Sequence, residues 1–429
     1  MRKRLLSHIG LILVLVLLVL PLGSCQTAQH APGIPDCWLE VVDGTRVLVL
    51  HGSAYDRGRA HGILLAHEIG DNCERYIDKS LQQKFGFGRD YLLKWGRKME
   101  AFMPQEVVDE MHGISDGSGV PYEDILILAT HVDTVQFGKP SERAPVAASL
   151  GALSCSSFAL FGRWTSDGRL IAGHNVDWAT DTGVEGNEVL IVCVPLQGVP
   201  FCMPTHCGMV GTNTGMNAAG ITYGDTTSFS SDQSLDGMPL LIMARWILQN
   251  ARTLDDAVEM VKTLPRTDGW NMVIGDGKIP DARALEVTKH RVVVFLPDDP
   301  KEEAAVLGSS MLDAVRRTNH FVDHELRLTA CKRFGIDPEQ IEQALSNAAD
   351  STQKRYDALK RFIQENDGPV NPGDAARFLG TPPVGNAANL QSVVYDPKNL
   401  EVWTANAAPD GTPACNLRYS RVKLSKYFK

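Results

Sequence analysis

The spacing of apolar residues along the chain changes at about residue 155. Before that point, three segments place apolar residues three and four positions apart, which is the spacing that covers one face of a helix. These segments are residues 62–72, 91–103 and 107–114. The sequence therefore predicts a mainly helical region from about residue 60 to about residue 135.

After residue 155 the pattern consists mainly of short β-rich runs bounded by Gly and Asp. Two amphipathic blocks with helical spacing, 240–264 and 336–365, interrupt these runs. Because strands occur in runs and helices in separate blocks, the pattern favours a layered α+β architecture over alternating β and α units. The predicted strands are 156–162, 170–173, 188–195, 220–223, 272–275, 291–296 and 390–395.

The amino terminus has the pattern of an export signal. Three basic residues at positions 2–4 precede an uncharged apolar run over residues 9–22. This run is shorter than the roughly 18 to 20 residues that a spanning helix requires, so a transmembrane anchor is the weaker interpretation. We therefore expect a signal peptide over residues 1–24.

The stretch LGSC at positions 22–25 resembles the bacterial lipobox, in which the Cys is acylated after the preceding peptide is removed. The alternative is a chance Cys behind an ordinary cleavage site. The lipobox interpretation predicts lipidation at Cys25 and a Pro- and Gly-containing tether over residues 25–36. It also predicts an exported lipoprotein that is anchored on the periplasmic or cell-surface face of a membrane.

Composition narrows the class of protein. With 44% hydrophobic and 22% charged residues among 429, the chain has the composition of an ordinary globular protein. The net charge is −9 and no long basic run occurs, so nucleic acid is not expected as a partner. The chain shows no repeat, long linker, GxGxxG motif or P-loop, which favours one compact unit without a nucleotide site.

Cys155 stands out among the eight cysteines that remain when Cys25 is set aside. It follows a segment, 140–153, that is rich in Ala, Pro and Ser and has no helical period, as expected of an exposed, cleavable connection. The cysteines form no CxxC pair and no Cys/His cluster at zinc spacing, so the sequence gives no reason to expect a metal site.

A thiol at this junction has suitable chemistry for a nucleophile. Its reference pKa is near 8.5, so part of it is ionised at neutral pH. If Cys155 became the first residue of a chain, its α-amine, with a pKa of about 7.7 to 8, would be a base suited to proton transfer. The competing interpretation, which composition alone favours, is a buried structural cysteine.

The order of short motifs along the chain favours the nucleophile. Together they resemble the acyl-CoA:isopenicillin N acyltransferase-like family of self-processing cysteine hydrolases. Each motif is short and rich in glycine, so their shared order carries the resemblance. The motifs are YDRGRAHG at 55–62, MHGISDGSG at 111–119, CSSF at 155–158, TSDG at 165–168, GHNVDW at 173–178, TGMNAAGI at 214–221, RTNHF at 317–321 and SVVYD at 392–396.

The resemblance implies a fold and a processing event. The fold is the four-layer αββα sandwich of N-terminal-nucleophile hydrolases. The chain would cut itself between Ser154 and Cys155 into a helical prosegment or small subunit, residues 37–154, and a catalytic large subunit, residues 155–429. The two cleaved subunits would then associate with each other.

The resemblance also implies an activity and roles for single residues. The enzyme would cleave carbon–nitrogen amide bonds of small N-acyl substrates through a thioester on Cys155, with no metal or organic cofactor. Asp177 would hold the new α-amine in place, and Asn271 would donate its side-chain amide to the oxyanion. Asn175 is a further catalytic candidate, which would support these residues without contacting the substrate.

The chain departs from its relatives at three positions. It has Asn386 where we place an Arg in the acyltransferase that makes penicillins, and His174 where bile-salt hydrolases and penicillin V acylases carry an Arg. We expect both changes to alter the polar wall of the pocket, so neither substrate is carried over. Ser154 stands before the nucleophile, where Gly is usual.

Two other functions stay open at this point. A phospholipase-B-like acyl ester hydrolase would share the fold and much of the motif order. A surface lipoprotein could instead use the same scaffold only to bind a ligand, and such a binder has no reason to cut itself. The choice between hydrolysis and acyl transfer is open as well.

Overall fold

The computed structural model of the chain describes residues 28–138, 154–178, 180–347 and 352–428. The predicted signal peptide over residues 1–24 and the predicted lipidation residue Cys25 lie outside these ranges. Within the described residues, no helix combines the length and the apolar character that a membrane crossing requires.

The described residues contain sixteen strands, which belong to two sheets. The strands are β1 (Gln29–Ala31), β2 (Ile34–Val42), β3 (Thr45–Gly52), β4 (Ser156–Gly162), β5 (Gly168–Asp177), β6 (Glu188–Pro195), β7 (Phe201–His206), β8 (Thr214–Asn217), β9 (Ile221–Thr227), β10 (Trp270–Asp276), β11 (Asp281–Val287), β12 (Val292–Phe295), β13 (Ala314–Arg317), β14 (Asn389–Asp396), β15 (Glu401–Asn406) and β16 (Ser420–Lys423).

The helices lie in two groups, before β4 and after β9. They are α1 (Ala54–Leu64), α2 (Ala66–Asn72), a π-helical stretch (Cys73–Lys84), α3 (Arg89–Glu100), α4 (Gln105–Ser118), α5 (Tyr122–Phe137), α6 (Leu240–Asn250), α7 (Leu254–Thr263), α8 (Pro300–Ala304), α9 (His324–Phe334), α10 (Pro338–Asn347), α11 (Thr352–Gln364) and α12 (Pro372–Gly380).

The two sheets pack face to face. The larger sheet has the strand order β1-β2-β3-β6-β7-β8-β9-β10-β11-β12, and the smaller has the order β13-β4-β5-β14-β15-β16. The apolar core between them includes Val49 and Val273 from the larger sheet and Ala159 and Val393 from the smaller sheet. Burial of these side chains holds the two sheets together.

Helices cover the outer face of each sheet. On the larger sheet, Leu50 of β3 shares an apolar core with Ile127 of α5. On the smaller sheet, Phe158 of β4 shares a core with Leu359 of α11 and Phe378 of α12. The layers therefore run helix, sheet, sheet, helix. The α+β class and the four-layer αββα sandwich that the sequence predicts are confirmed.

The predicted tether is only partly correct. Residues 29–36, which the sequence assigns to it, form β1 and the start of β2, where Ala31 and Ile34 are buried. Gly33 lies between these strands with a φ of 76°, a left-handed conformation that glycine adopts without strain. The Gly and Pro that suggested a tether thus belong to a tight hairpin.

The two predicted helical blocks each contain two helices. In the first block, 240–264, a new helix begins after Thr253, whose side chain accepts from the Asp256 amide while the Asp256 carboxylate accepts from the Thr253 amide. This capping box starts α7 and separates it from α6. The second block, 336–365, contains α10 and α11.

The predicted prosegment, residues 37–154, contributes strands as well as helices. β2 and β3 precede its helices, and β3 pairs in parallel with β6 through residues 47–52 and 190–195. Residues before Cys155 therefore form part of the larger sheet, beside strands that follow Cys155.

Two motifs of the prosegment bring α1 and α4 into backbone contact. Gly58 and Gly62 lie on α1, and Gly113 and Gly117 lie on α4. A Cβ at Gly58 would lie 2.0 Å from the Glu110 carbonyl oxygen. These four positions are therefore glycines because the helix axes approach more closely than any side chain would allow.

A buried charge cluster ties these helices to α6. The Glu110 carboxylate lies 3.0 Å from the guanidinium of Arg57 and 2.6 Å from that of Arg245. All three side chains are at most 3% exposed. Because each charge has a partner, the cluster avoids the cost of an unpaired buried ion. It also joins elements on both sides of the predicted cleavage point.

The substitution Gly113→Ala tests the contact between α1 and α4. The new Cβ would lie 2.2 Å from the carbonyl oxygen of Tyr55 and 2.7 Å from the amide nitrogen of Arg59. Because backbone atoms must move, we expect a loss of about 3 kcal/mol or more in the free energy of unfolding, measured by chemical denaturation.

Gly70→Ala in α2 is the matched control, since no atom would lie within 4 Å of its Cβ. Alanine at this helical position should stabilise the protein by about 0.5 to 1 kcal/mol. Equal stabilities of the two variants would contradict the close contact.

Candidate active site around Cys155

Strand order brings Cys155 and Asp177 together. Cys155 directly precedes β4, Asp177 ends β5, and Asn389 begins β14. Because these neighbouring strands are antiparallel, all three residues lie at the same end of the three strands in the smaller sheet. The Asp177 amide nitrogen lies 3.5 Å from the half-buried Cys155 Sγ, and the Asp177 carbonyl oxygen lies 3.8 Å from it.

Two asparagine side chains hold the Asp177 carboxylate. The Asn386 Nδ2 donates to Asp177 Oδ2 at 2.8 Å, and the Asn389 Nδ2 donates to Asp177 Oδ1 at 2.6 Å. Each asparagine is itself oriented, because its Oδ1 accepts from a backbone amide, that of Ala388 or Cys415. Both amide nitrogens must therefore face the carboxylate.

Burial changes the acidity of both reacting groups. It raises the pKa of Asp177 to about 6, although the two asparagine donors and the charge of Arg355 act in the opposite direction. Burial, with a further contribution from the Asp177 charge, raises the pKa of Cys155 to about 12. Cys155 is thus a neutral thiol at physiological pH, and only a nearby base could convert it to a thiolate.

A cavity of about 60 Å³ lies beside Cys155. The smaller sheet contributes Cys155 and Asp177 to its lining, and the larger sheet contributes Asp225. Tyr76 and His131 come from the predicted prosegment. The site is therefore built from both sheets and from the region before the predicted cleavage point.

Apart from Asp177, burial favours the neutral forms of the titratable groups in this lining. Burial raises the pKa of Asp225 well above its ordinary value, which favours the neutral form of this acid. Burial also lowers the pKa of His131 to about 4 and that of His206 to about 3, so both imidazoles are neutral at physiological pH. The Asn213 side chain donates to Asp225 Oδ1 at 3.1 Å.

Asn271 does not lie where the sequence predicts. It is not among the described residues that line the cavity, and its side chain is fully buried. Its Nδ2 donates to Ser228 Oγ at 2.8 Å and to the carbonyl oxygens of Thr318 and His320 at 2.7 and 2.8 Å. An amide nitrogen has two hydrogens, so none is left for an oxyanion at Cys155. In this conformation the Asn271 amide is occupied by other partners, and its role at the oxyanion stays a prediction.

Asn175 supports the site from behind the cavity. Its Nδ2 donates to the carbonyl oxygens of Leu379 and Val384 at 2.9 and 3.3 Å, and its Oδ1 accepts from Ser392 Oγ. These bonds fasten β5 to the segment that leads to Asn386. Asn175 thus helps to position a partner of Asp177 and makes no contact with the cavity.

His174 does not form the pocket wall. It lies between the sheets, where its Nε2 donates to the Asp225 carbonyl oxygen at 2.6 Å. A Cβ at Gly224 would lie 3.2 Å from its ring. Asn386, the other departure from related sequences, does lie in the site as a partner of Asp177.

Sequence reasoning missed several residues of this site. Asn213 directly precedes a matched motif, and Asn389 lies three positions after Asn386, so both were within reach of motif reasoning. Asp225 and His206 had no such signal, because each is a polar residue within a strand and belongs to no matched motif. Only the packing of the two sheets brings these strands to Cys155.

Comparison with known proteins gives a family match and several relatives. The family model described as acyl-coenzyme A:6-aminopenicillanic acid acyl-transferase matches residues 164–382, about half of the chain. An uncharacterized protein of Archaeoglobus fulgidus is 27% identical over 436 residues, which cover 93% of this chain and 70% of that protein.

Two further similarities are weaker. Protein dcd1B of Dictyostelium discoideum is 25% identical over 284 residues, or 60% of this chain and 54% of that protein. Among solved structures, a Caenorhabditis elegans ortholog of N-acylethanolamine-hydrolyzing acid amidase overlays with a TM-score of 0.42 and 15% identity. That overlay covers 63% of this chain and 100% of the other chain.

The substitution Asn389→Ala tests the support of Asp177. Removing this donor should raise the pKa of Asp177 above its value of about 6, because the bond favours the ionised form. If an activity of this site requires the Asp177 carboxylate, the acid limb of its pH profile of kcat/KM should therefore move to higher pH.

Asn250→Ala, at the exposed end of α6, is the control and should leave that limb in place. An unchanged acid limb in Asn389→Ala would show that the ionisation of Asp177 does not govern the reaction.

Proposed function

The chain belongs to the acyl-coenzyme A:6-aminopenicillanic acid acyl-transferase family, as its motif order predicts, and from this premise we propose that it is a self-cleaving cysteine hydrolase or acyltransferase of N-acyl amides. One observation carries the proposal. Cys155 directly precedes β4 at a buried cavity, where the backbone and the carboxylate of Asp177 lie beside it.

Self-cleavage is the first proposed step. The Cys155 thiol adds to the carbonyl carbon of Ser154, the bond between that carbon and the Cys155 nitrogen breaks, and the thiol proton ends on the departing nitrogen. Water then hydrolyses the resulting thioester. This sequence leaves a carboxylate on Ser154 and a free α-amine on Cys155, and it needs no metal or organic cofactor.

The free α-amine supports the second step, which is turnover. A thiol whose pKa is raised by burial needs a base close by, and an α-amine with a pKa of about 7.7 to 8 can take its proton. The Asp177 carboxylate, held by Asn386 and Asn389, would steady the resulting ammonium. The thiolate then takes the acyl group as a thioester, and water or an acceptor amine removes it.

We assign stabilisation of the oxyanion to Asn213. Asn213 lines the cavity together with Cys155. One hydrogen of its Nδ2 is donated to Asp225, which orients the amide and leaves the second hydrogen for a substrate oxygen. A donor that is already oriented stabilises the developing charge at no further cost in reorganisation.

We further propose that the two subunits stay together after cleavage. Three kinds of interaction cross the proposed cut: the parallel pairing of β3 with β6, the ion pair of Glu110 with Arg245, and the bond from the Leu240 amide to the Asp133 carboxylate at 3.0 Å. All are buried, so separation of the fragments would expose sheet edge, charge and apolar surface together.

Export and lipid anchoring form a separate part of the proposal. They rest on the amino-terminal pattern and on the lipobox-like sequence that ends at Cys25. The catalytic proposal does not depend on them.

Cleavage and catalysis should depend on the same residue. Purified protein should contain a fragment that begins at Cys155 and extends to Lys429, copurifying with the preceding segment. Cys155→Ala should stay a single inactive chain, because no thiol is present to start the acyl shift. Cys155→Ser should cleave slowly and lose amide turnover, since its hydroxyl has no thiolate character near pH 7. Intact mass, amino-terminal sequencing and amidase assays measure these outcomes.

Cys331→Ala is the matched control, because this cysteine lies in a separate apolar cluster with residues such as Leu307 and Ile341. It should be cut and active like the parent. A parent protein that is uncut yet fully active, or cleavage of Cys155→Ala at the same bond, would overturn the assignment. A parent protein that is uncut and inactive would favour the binding scaffold.

Asn213 and Asn271 should differ in their effects on catalysis. Asn213→Ala should lower kcat about 10²-fold, with a much smaller change in KM, as loss of an oxyanion donor does. Asn271→Ala should lower the free energy of unfolding, because it removes a buried donor from the carbonyl groups of Thr318 and His320, and keep kcat of the folded protein closer to that of the parent. The reverse pattern would return the oxyanion role to Asn271.

A further inference from the structure

The cavity beside Cys155 carries polar groups that the proposed chemistry does not use. His206 is 7% exposed and Tyr76 is 1% exposed, and both line the cavity. Within the described residues, His206 Nε2 has no hydrogen-bond partner. The Tyr76 oxygen is within reach of the Trp178 indole, which can only donate, so the Tyr76 hydroxyl hydrogen is left for another acceptor. Buried polar groups are rarely left without a partner, so His206 and Tyr76 indicate a site for a polar ligand or for water.

The volume limits what this site can hold. At about 60 Å³ the cavity is far smaller than the roughly 300 to 1,000 Å³ of a pocket that takes a drug-sized ligand. It has room for a few non-hydrogen atoms. The part of a substrate that enters must therefore be short, and the leaving group must extend outside the cavity.

The charge of the lining limits the ligand further. No Lys or Arg is among the described residues that line the cavity. Both histidines are neutral, and His131 donates from Nδ1 to the Leu128 carbonyl oxygen at 2.9 Å, so its Nε2 is an acceptor. A carboxylate on the acyl tail would be buried here without a cationic side chain in the lining, which is costly.

These observations converge on the acyl part of the substrate. We propose that this cavity accepts a short acyl group with a neutral hydrogen-bonding substituent, such as a hydroxyl, which pairs with His206 and Tyr76. The inference rests on the proposed function and names the substrate class of the same site. A hydroxyl suits these partners because it both donates and accepts, whereas a plain alkyl chain would leave them unpaired. Sites of this kind discriminate strongly against an analogue that lacks the polar group.

The experiment compares acyl groups on one leaving group. Processed protein is assayed with the 7-amino-4-methylcoumarin amides of 3-hydroxybutanoate, butanoate, dodecanoate and succinate. We expect kcat/KM for the 3-hydroxybutanoyl amide to exceed that for the butanoyl amide about tenfold or more. The long dodecanoyl group and the anionic succinyl group should be poorer still.

Two variants locate the preference. His206→Leu should bring the ratio of hydroxybutanoyl to butanoyl turnover close to one, because the imidazole partner is removed. Tyr76→Phe removes a single oxygen and should lower the ratio part of the way. The matched control is His290→Leu, since His290 is a surface residue with a 74% exposed side chain, outside the cavity lining. It should keep the parent ratio and rate.

The outcomes separate the inference from the proposed function. Equal turnover of the two short amides, or a preference for butanoyl or dodecanoyl, would overturn the inference and leave the amide hydrolase in place. An unchanged ratio in Tyr76→Phe would overturn it as well, even if His206→Leu failed to fold. If processed protein hydrolysed none of the amides, the proposed function itself would fail.

Discussion

A carboxylate buried beside a thiol is the constraint around which this site is built. Asp177 is fully buried, so its charge is tolerated only if both oxygens receive hydrogen bonds. Asn386 and Asn389 supply these bonds, and backbone amides hold each asparagine in the orientation that it needs. The hydrogen bonds that the Asp177 charge requires thus hold the loop before β14 and the turn that contains Cys415 in place.

The region before Cys155 belongs to the fold as fully as the region after it. It supplies β3 to the larger sheet, Glu110 to a buried charge cluster, and Tyr76 and His131 to the cavity. A propeptide that only covered a finished enzyme would leave such roles to the catalytic part. Here the site would be incomplete without the amino-terminal region, which accounts for the two glycine-rich motifs that lie far in sequence from the nucleophile.

Sequence reasoning succeeded where the signal was local or ordered along the chain. β4 and β6 coincide with predicted strands because each is a continuous run of buried residues. Cys155 and Asp177 could be paired because motif order placed them on adjacent strands. Asn271 and Asp225 show the limit, since they lie on paired strands and face opposite sides of the larger sheet. The side on which the cavity lies depends on how two sheets, built from segments far apart in sequence, pack together. No local sequence pattern predicts it.

The parallel pairing of β3 with β6 would affect refolding differently in a continuous chain and in a cleaved one. While the chain is continuous, these strands find each other within one polymer, at a high effective concentration. If the proposed cleavage occurs, the same pairing becomes an encounter between two separate molecules, whose rate falls with dilution. A processed protein that unfolded in dilute solution would be slow to regain its sheet, so its lifetime would be set by the rate of unfolding. Cleavage would thus convert a reversible fold into one assembled a single time.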